Sequence, residues 1–149
     1  MMLIDSNILI YSLSKRSPKR SRAQNFLNET DDLVFAQQNI LETLRVLTHP
    51  IFPDPMKAEE ALQAVSAIID VGVVIRPTPE TLEIMIELIR RKKITGNTIF
   101  DAYLVATMLS NGVKKIATDN VKHFKKFEEI TRKQRAFARK ISPPLGCRE

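Results

Sequence analysis

Short apolar runs alternate with helical segments along the chain, and this alternation limits the possible folds more than any other feature of the sequence. Runs with the character of buried strands lie at residues 2–11, 33–36, 73–76 and 113–118. Between them, apolar residues recur at helical spacing in segments 17–28, 39–47, 56–69, 78–93 and 99–109. Strands separated by helices predict an α/β fold, namely a three-layer α/β/α arrangement with a central, mostly parallel sheet.

Nothing in the chain marks a boundary between domains. Its 149 residues are enough for one ordinary core, and no repeat or linker interrupts them, so we expect a single domain over residues 1–149. Residues 124–149 are basic and fit neither periodicity clearly. One last strand or helix before a Pro-Pro tail is the expectation for that segment.

The sequence predicts a cytoplasmic protein without a membrane segment. It has no stretch of 18 apolar residues free of charge, and its first basic residues follow the N-terminal apolar run, which is the reverse of a signal peptide. The only cysteine, Cys147, has no partner for a disulfide within the chain and cannot form a thiolate metal site alone.

The chain is basic, with 23 Lys and Arg residues against 17 Asp and Glu residues, a net charge of +6. The basic residues are clustered at 15–22, 90–93 and 122–126. Such clusters suit a polyanion such as nucleic acid, but they also occur as solvated helix faces and as partners of helix dipoles. Charge therefore permits nucleic-acid binding without deciding it.

Four acidic residues lie where a parallel α/β fold could bring them together. Asp5 lies at or within the end of the first predicted strand, and Asp119 directly follows the last one. Glu42 and Asp101 each lie three residues after a residue type that caps helices. Because ligands of such sheets bind at the carboxyl ends of the strands, all four side chains could face one crevice.

Taken singly, each acid also has a purely structural explanation. Glu42 and Asp101 could complete capping boxes with Asn39 and Thr98, and the other two acids could be ordinary turn residues. Together, four crowded carboxylates would repel one another, so their convergence would require a hard divalent cation. With one Cys and two His, a standard Cys/His zinc site is excluded, and oxygen ligands favour Mg²⁺ or Mn²⁺.

Four segments resemble the PIN-domain ribonucleases that act as toxins in bacterial and archaeal toxin–antitoxin pairs, namely LIDSNILIY, NILETLRVL, GNTIFDAYLVATMLSNG and IATDNVKHF. The resemblance covers about residues 2–127. It implies a metal-dependent endoribonuclease whose metal-binding and catalytic residues are Asp5, Glu42, Asp101 and Asp119. It places Asn7 and Thr118 in supporting positions. It also implies an RNA substrate, a cognate antitoxin protein and a homodimer.

Within that resemblance, one or two Mg²⁺ or Mn²⁺ ions activate a water molecule, so the expected products carry 5′-phosphate and 3′-hydroxyl ends. The 2′-hydroxyl then takes no part in the chemistry, and any preference for RNA comes from binding. Candidate contacts to RNA phosphates are Lys15, Arg16, Lys19 and Arg20.

The chain departs from the family pattern in two places. Many relatives carry Asp before the Phe of the last motif, where this chain has His123. Relatives also usually have a short Gly-Leu strand and an Asn-Pro where this chain has residues 128–135. The first departure concerns the fourth acid, Asp119, whose motif it changes.

A non-catalytic nucleic-acid- or protein-binding module of the same fold is the alternative. In that case the acids are caps and turn residues, and the basic clusters bind the partner. The two hypotheses differ in a simple observable, because a metal site predicts that Mg²⁺ or Mn²⁺ raises the melting temperature. A hydrolytic triad using His49 or His123 is less favoured, since no nucleophile-elbow motif is present.

Overall fold

The structure, a computed structural model, describes residues 1–133. The strands in this part of the chain are β1 Met2–Ile4, β2 Leu33–Ala36, β3 Val73–Ile75, β4 Lys115–Ala117 and β5 Thr131–Lys133. The α-helices are α1 Ser6–Leu13, α2 Arg20–Asn28, α3 Gln37–Thr48, α4 Ala58–Ile69, α5 Thr81–Lys92 and α6 Thr98–Ser110. A 3₁₀ helix covers Val121–Phe124.

Strand β1 lies in the middle of a parallel sheet whose order is β3-β2-β1-β4-β5. Leu3 pairs with Val34 on one side and with Ile116 on the other. The chain builds outward from β1 to β3, then crosses to the opposite side of β1 for β4 and β5. Ligands of such sheets bind where the order reverses, which here is the crevice at the carboxyl ends of β1 and β4.

The sheet separates two apolar cores because side chains alternate along each strand. Leu3 belongs to the core shared with α5 and α6, whereas Met2 and Ile4 belong to the core shared with α1 and α2. Helices therefore cover both faces of the sheet. This confirms the predicted three-layer α/β/α arrangement with a parallel sheet.

The apolar run at residues 2–11, predicted as one strand, divides into β1 and α1. Asp5 ends the strand, and its side chain caps α1 by accepting a hydrogen bond from the backbone N–H of Ser6 at 2.8 Å. Ile8 and Leu9 are then buried as helical residues in the same core as Ile4. The prediction of a single strand was wrong because a buried helix and a buried strand can have the same apolar composition.

The other predicted helices and strands are present, with ends that lie within three residues of the prediction. The predicted caps were wrong. Asn39 lies in the first turn of α3 and is fully buried, and Thr98 is the first residue of α6. Residue type alone therefore located the helix starts to within a turn without identifying the capping residue.

The C-terminal segment that the sequence left open includes β5, which pairs with β4 at the edge of the sheet. The part of that segment that follows β5, residues 134–149 with Cys147, lies outside the described residues. Within residues 1–133, no helix has both the length and the apolar character needed to cross a membrane.

Candidate active site

Asp5 lies where β1 meets α1 and is buried, with 8% of its surface exposed. Its Oδ1 accepts hydrogen bonds from the backbone N–H of Ser6 at 2.8 Å and from Nδ2 of Asn39 at 3.4 Å. Its Oδ2 accepts from the hydroxyl of Thr118 at 2.6 Å and from Nδ2 of Asn7 at 3.3 Å. Groups from α1, from α3 and from the end of β4 therefore hold both carboxylate oxygens.

The surroundings of Asp5 act on its ionisation in opposite directions. Burial raises the pKa of the Asp5 carboxyl, and the nearby charge of Glu42 raises it further. The hydrogen bonds from Thr118 and Ser6 lower this pKa, because each of them stabilises the ionised form. The site thus holds a carboxylate that is well oriented and incompletely compensated in charge.

Glu42 faces Asp5 across the hydroxyl of Ser6. Its Oε2 accepts a hydrogen bond from Ser6 Oγ at 2.8 Å, and the same hydroxyl lies 3.5 Å from Asp5 Oδ1. Its Oε1 accepts from Nε2 of Gln38 at 3.2 Å. Because Asn39 lies inside α3, Glu42 is in the second turn of that helix and does not form a capping box with it.

Asp101 lies in the first turn of α6. Burial raises the pKa of its carboxyl to about 6; His123 lowers it, and the charges of Asp5 and Glu42 raise it. The structure therefore brings three acids from distant parts of the sequence close enough for their charges to interact. We call Asp5, Glu42 and Asp101 the three-acid cluster.

Asp119, the fourth predicted acid, has a different environment. Its Oδ2 lies 2.5 Å from Nζ of Lys19 and accepts a hydrogen bond from the hydroxyl of Tyr11 at 3.1 Å. The ammonium group of Lys19 also lies 4.9 Å from the centre of the Tyr11 ring. The hydrogen bond to Asp119 raises the pKa of Lys19, as expected for a stabilised cation. We call Asp119 and Lys19, with the Tyr11 side chain beside them, the Asp119 pair.

Asn7 and Thr118 connect these two regions. The Thr118 hydroxyl donates to Asp5 and accepts from Asn7 Nδ2 at 3.2 Å and from the backbone N–H of Asn120 at 3.0 Å. The amide oxygen of Asn7 accepts from the backbone N–H of Asp119 at 3.4 Å. Both residues thus lie at the site and orient its carboxylates, in the manner expected of supporting residues.

Of the four basic residues predicted to contact phosphates, Lys19 alone is placed against a predicted acid. Lys15 and Arg16 lie beyond the C-terminal end of α1, an eight-residue helix that spans roughly 12 Å from its cap at Asp5. They line a separate cavity of about 370 Å³, where Lys15 lies 3.7 Å from Glu60. The predicted phosphate contacts, with Arg20 among them, remain predictions.

The roles of several residues at the site were not predicted from the sequence. Ser6 bridges two acids, Asn39 and Gln38 donate to them, and Nδ1 of His123 lies 3.7 Å from Oδ2 of Asp101. A partial signal existed for Ser6, which follows Asp5 directly. The signal for Asn39 was misleading, because Asn three residues before Glu is also the pattern of a helix cap.

The donor chemistry of the three-acid cluster fits a hard divalent cation. Its carboxylates repel one another, and the side-chain oxygens of Gln38 and Asn39 beside them are buried without a hydrogen-bond partner among the described residues. In residues 1–133, no three Asp, Glu, His or Cys side chains are already close enough together to hold a metal ion. The cluster thus supplies suitable donors, and binding an ion would require its carboxylates to move closer together.

Comparisons with known proteins agree with this geometry. Residues 2–130 match the family model of the PIN domain. Ribonuclease VapC43 from Mycobacterium tuberculosis is 26% identical over 126 residues, which are 80% of this chain and 86% of the relative.

Solved structures show the same fold. VapC20 from Mycobacterium tuberculosis, described as a sarcin-ricin loop cleaving toxin, has a TM-score of 0.62 at 15% identity and covers 78% of this chain and 87% of that one. VapBC2 from Rickettsia felis, bound to a DNA fragment from its promoter, has a TM-score of 0.65 at 15% identity, with coverage of 89% and 96%. Homologues of this protein thus include VapC ribonucleases, as its four motifs predicted, and the chain belongs to the PIN domain family.

Proposed function

We propose that this protein is a metal-dependent endoribonuclease and the toxin of a toxin–antitoxin pair. The observation that supports this most strongly is the three-acid cluster, in which carboxylates from β1, α3 and α6 repel one another at the carboxyl edge of the sheet. Crowded carboxylates of this kind are destabilising without a cation and are suitable ligands for one. The homologous VapC ribonucleases give the reaction class.

In this proposal, Asp5, Glu42 and Asp101 hold Mg²⁺ or Mn²⁺, and Asp119 is the fourth ligand. When bound, the cation would lower the pKa of a water molecule and stabilise negative charge on the scissile phosphate. Since water is the nucleophile, the products would carry 5′-phosphate and 3′-hydroxyl ends. Oδ2 of Asp119 could bind the cation only by weakening its contacts with Lys19 and Tyr11.

The residues around the cluster have separate tasks in the proposal. Thr118 and Asn7 orient Oδ2 of Asp5, and the Ser6 hydroxyl lies between the carboxylates of Asp5 and Glu42. Such positioning reduces the reorganisation needed when substrate binds. Lys19 lies at the edge of the site, where it could exchange the carboxylate of Asp119 for an RNA phosphate.

We further propose a cytoplasmic protein that binds a cognate antitoxin and forms a homodimer. Solved relatives support the antitoxin, since they include VapBC2 and a toxin–antitoxin complex from Klebsiella pneumoniae. Co-expression with a candidate antitoxin, followed by purification through a tag on that partner, tests this part. Light scattering of the toxin alone would distinguish a dimer of about 34 kDa from a monomer of 17.0 kDa.

The decisive experiment is cleavage of a mixed single-stranded RNA by the purified protein with Mn²⁺ or Mg²⁺ and with EDTA. Asp5→Asn and Asp101→Asn test the cluster, and Asp70→Asn is the matched control because Asp70 is an exposed acid at the end of α4. We expect metal-dependent cleavage by the wild type and by the control only. Equal cleavage by all variants would reveal contamination and refute the proposal, whereas metal-independent RNA binding without cleavage would favour the non-catalytic module.

A further inference from the structure

His123 is carried on a short segment that the fold holds firmly against the site. Its backbone N–H donates to the carbonyl of Asn120 at 3.2 Å, and the Asn120 N–H donates to the hydroxyl of Thr118 at 3.0 Å. The next residue, Phe124, is 2% exposed and belongs to the core shared with α5 and α6. The backbone of His123 is therefore anchored through Asn120 to Thr118, which also orients Asp5.

The contact between His123 and Asp101 has the dimensions of two ligands of one metal ion. Nδ1 of His123 lies 3.7 Å from Oδ2 of Asp101, which is too long for a hydrogen bond. Two ligand atoms at about 2.1 Å from an octahedral cation are roughly 3.0 Å apart when adjacent and roughly 4.2 Å apart when opposite. The observed separation falls between these limits, so one cation could contact both atoms with only small side-chain rotations.

We propose that His123 is a nitrogen ligand of the metal site and that it makes the site prefer Mn²⁺ to Mg²⁺. This inference rests on the proposed metal-dependent function and adds a residue outside the four acids. Imidazole nitrogen binds transition-metal ions well, whereas Mg²⁺ selects oxygen ligands and retains its waters. A site of carboxylates alone would discriminate much less between these two ions.

A purely electrostatic role for His123 makes a different prediction. If its imidazole only compensated the charge of Asp101, it would have no bond to the metal ion. Two divalent ions of equal charge would then be affected alike by its removal. The relative affinity for Mn²⁺ and Mg²⁺, together with direct detection of a metal–nitrogen bond, separates the two roles.

The chain is well suited to this test because it has two histidines, His49 and His123. Pulsed electron paramagnetic resonance of the Mn²⁺-loaded full-length protein would detect coupling to an imidazole nitrogen. We expect this coupling in the wild type and in His49→Gln, whose histidine lies in the 49–55 loop with Nδ1 accepting from the backbone N–H of Ile51. We expect its loss in His123→Gln and His123→Asp.

The same samples give the affinities, with Mg²⁺ measured by competition against the Mn²⁺ signal. We expect His123→Gln to weaken Mn²⁺ binding by at least about tenfold and Mg²⁺ binding by much less. His123→Asp should restore oxygen ligation and leave the site with little preference between the two ions. Because the His123 side chain is 58% exposed, both variants should fold, which circular dichroism checks.

The outcomes distinguish this inference from the proposed function. Mn²⁺ binding without nitrogen coupling, accompanied by metal-dependent RNA cleavage, would overturn the role of His123 and leave the ribonuclease proposal intact. Equal weakening of Mn²⁺ and Mg²⁺ in His123→Gln would likewise reject the ligand role in favour of an electrostatic one. If the wild type bound no Mn²⁺ at all, the metal site and this inference would both fail.

Discussion

The three-acid cluster and the Asp119 pair lie at the same edge of the sheet, but the negative charges of their carboxylates are compensated differently. In the cluster, Asp5 and Asp101 have raised pKa values because burial and neighbouring acids disfavour their ionised forms. In the pair, Asp119 has a cation of its own in Lys19, at 2.5 Å. The acids of the cluster thus keep raised pKa values despite His123 beside Asp101, whereas Lys19 supplies Asp119 with a cation of its own.

This difference gives the two regions different expected responses to a metal ion. Binding a divalent cation should relieve repulsion in the cluster and so stabilise the fold by mass action. At the Asp119 pair, the same ion must compete with Lys19. We therefore expect the cluster to determine metal affinity and the pair to modulate it.

The largest expected effect is on catalysis by the cluster. Asp101→Asn keeps the shape of the side chain but removes its charge, so RNA cleavage should fall by at least about 100-fold. The measurement is the initial rate with Mn²⁺ on a fluorescent single-stranded RNA, with Asp70→Asn as the control. Retention of more than about a tenth of the wild-type rate would remove Asp101 from the metal site.

The same substitution should stabilise the metal-free protein at high pH. The pKa of Asp101 is raised from 3.8 to about 6 in the folded state, so its folded form favours the proton. The contribution of the protonated Asp101 carboxyl to the free energy of unfolding is fully present below about pH 4 and is lost as the pH rises through about 6. The shift corresponds to at most about 3 kcal/mol, and partial exposure reduces this to roughly 1–2 kcal/mol.

Urea unfolding with EDTA at pH 8 and at pH 4 measures this effect. Asp101→Asn should have the higher free energy of unfolding at pH 8 and show no such gain at pH 4. A variant that is less stable than the wild type at pH 8 would mean that the ionised carboxylate is well compensated within the chain, contrary to the charge repulsion inferred for the cluster.

A smaller effect is expected where the two regions are joined. Thr118→Val preserves the shape of the side chain but removes its hydrogen bond to Asp5 and leaves the N–H groups of Asn7 and Asn120 with one acceptor fewer. We expect the free energy of unfolding to fall by about 1–2 kcal/mol. We also expect the acidic limb of the pH–activity profile to shift to higher pH, because the pKa of Asp5 rises when this hydrogen bond is lost. Thr107→Val, another buried threonine, is the control, and an unshifted profile would exclude Thr118 from the orientation of Asp5.

The smallest expected effect comes from breaking the Asp119 pair. Lys19→Met should cost less than about 1 kcal/mol of metal-free stability, since the ion pair is partly exposed. It should also free Asp119 to contact the metal ion and so increase the metal-induced rise in melting temperature by about 2–4 °C. Lys15→Met serves as the control, and an unchanged metal response in Lys19→Met would argue against Asp119 as a ligand.

The sequence predicted the architecture because alternation and strand ends are local properties. The order of elements led to the parallel sheet, and the rule for carboxyl ends of strands placed Asp5 and Asp119 at one edge of it. In the structure Thr118, directly before Asp119, donates a hydrogen bond to Asp5 across a separation of 113 residues. The strand at residues 2–11 was predicted wrongly because α1 is as apolar as β1. The boundary between β1 and α1 is marked by the cap that Asp5 forms, and apolar periodicity does not reveal such a cap.

The remaining parts of the site depend on long-range placement that the sequence does not encode locally. Lys19 reaches Asp119 only through the packing of α2 against α1, and His123 reaches Asp101 only because a 3₁₀ helix turns the chain after β4. Likewise, Asn39 has the residue type of a helix cap, but α3 begins two residues before it. Tertiary contacts of this kind decide which of several plausible roles a polar residue has.

The most direct test of the three-acid cluster as a metal site is the melting temperature of the protein with EDTA, Mg²⁺ or Mn²⁺, in the wild type, Asp101→Asn and Asp70→Asn. If the cluster binds metal, both ions should raise the melting temperature of the wild type and of Asp70→Asn by several degrees. Asp101→Asn should melt at a higher temperature than the wild type in EDTA at pH 8 and respond little to either ion. An equal metal response in all three proteins, or none in the wild type, would contradict the assignment of the cluster as a metal site.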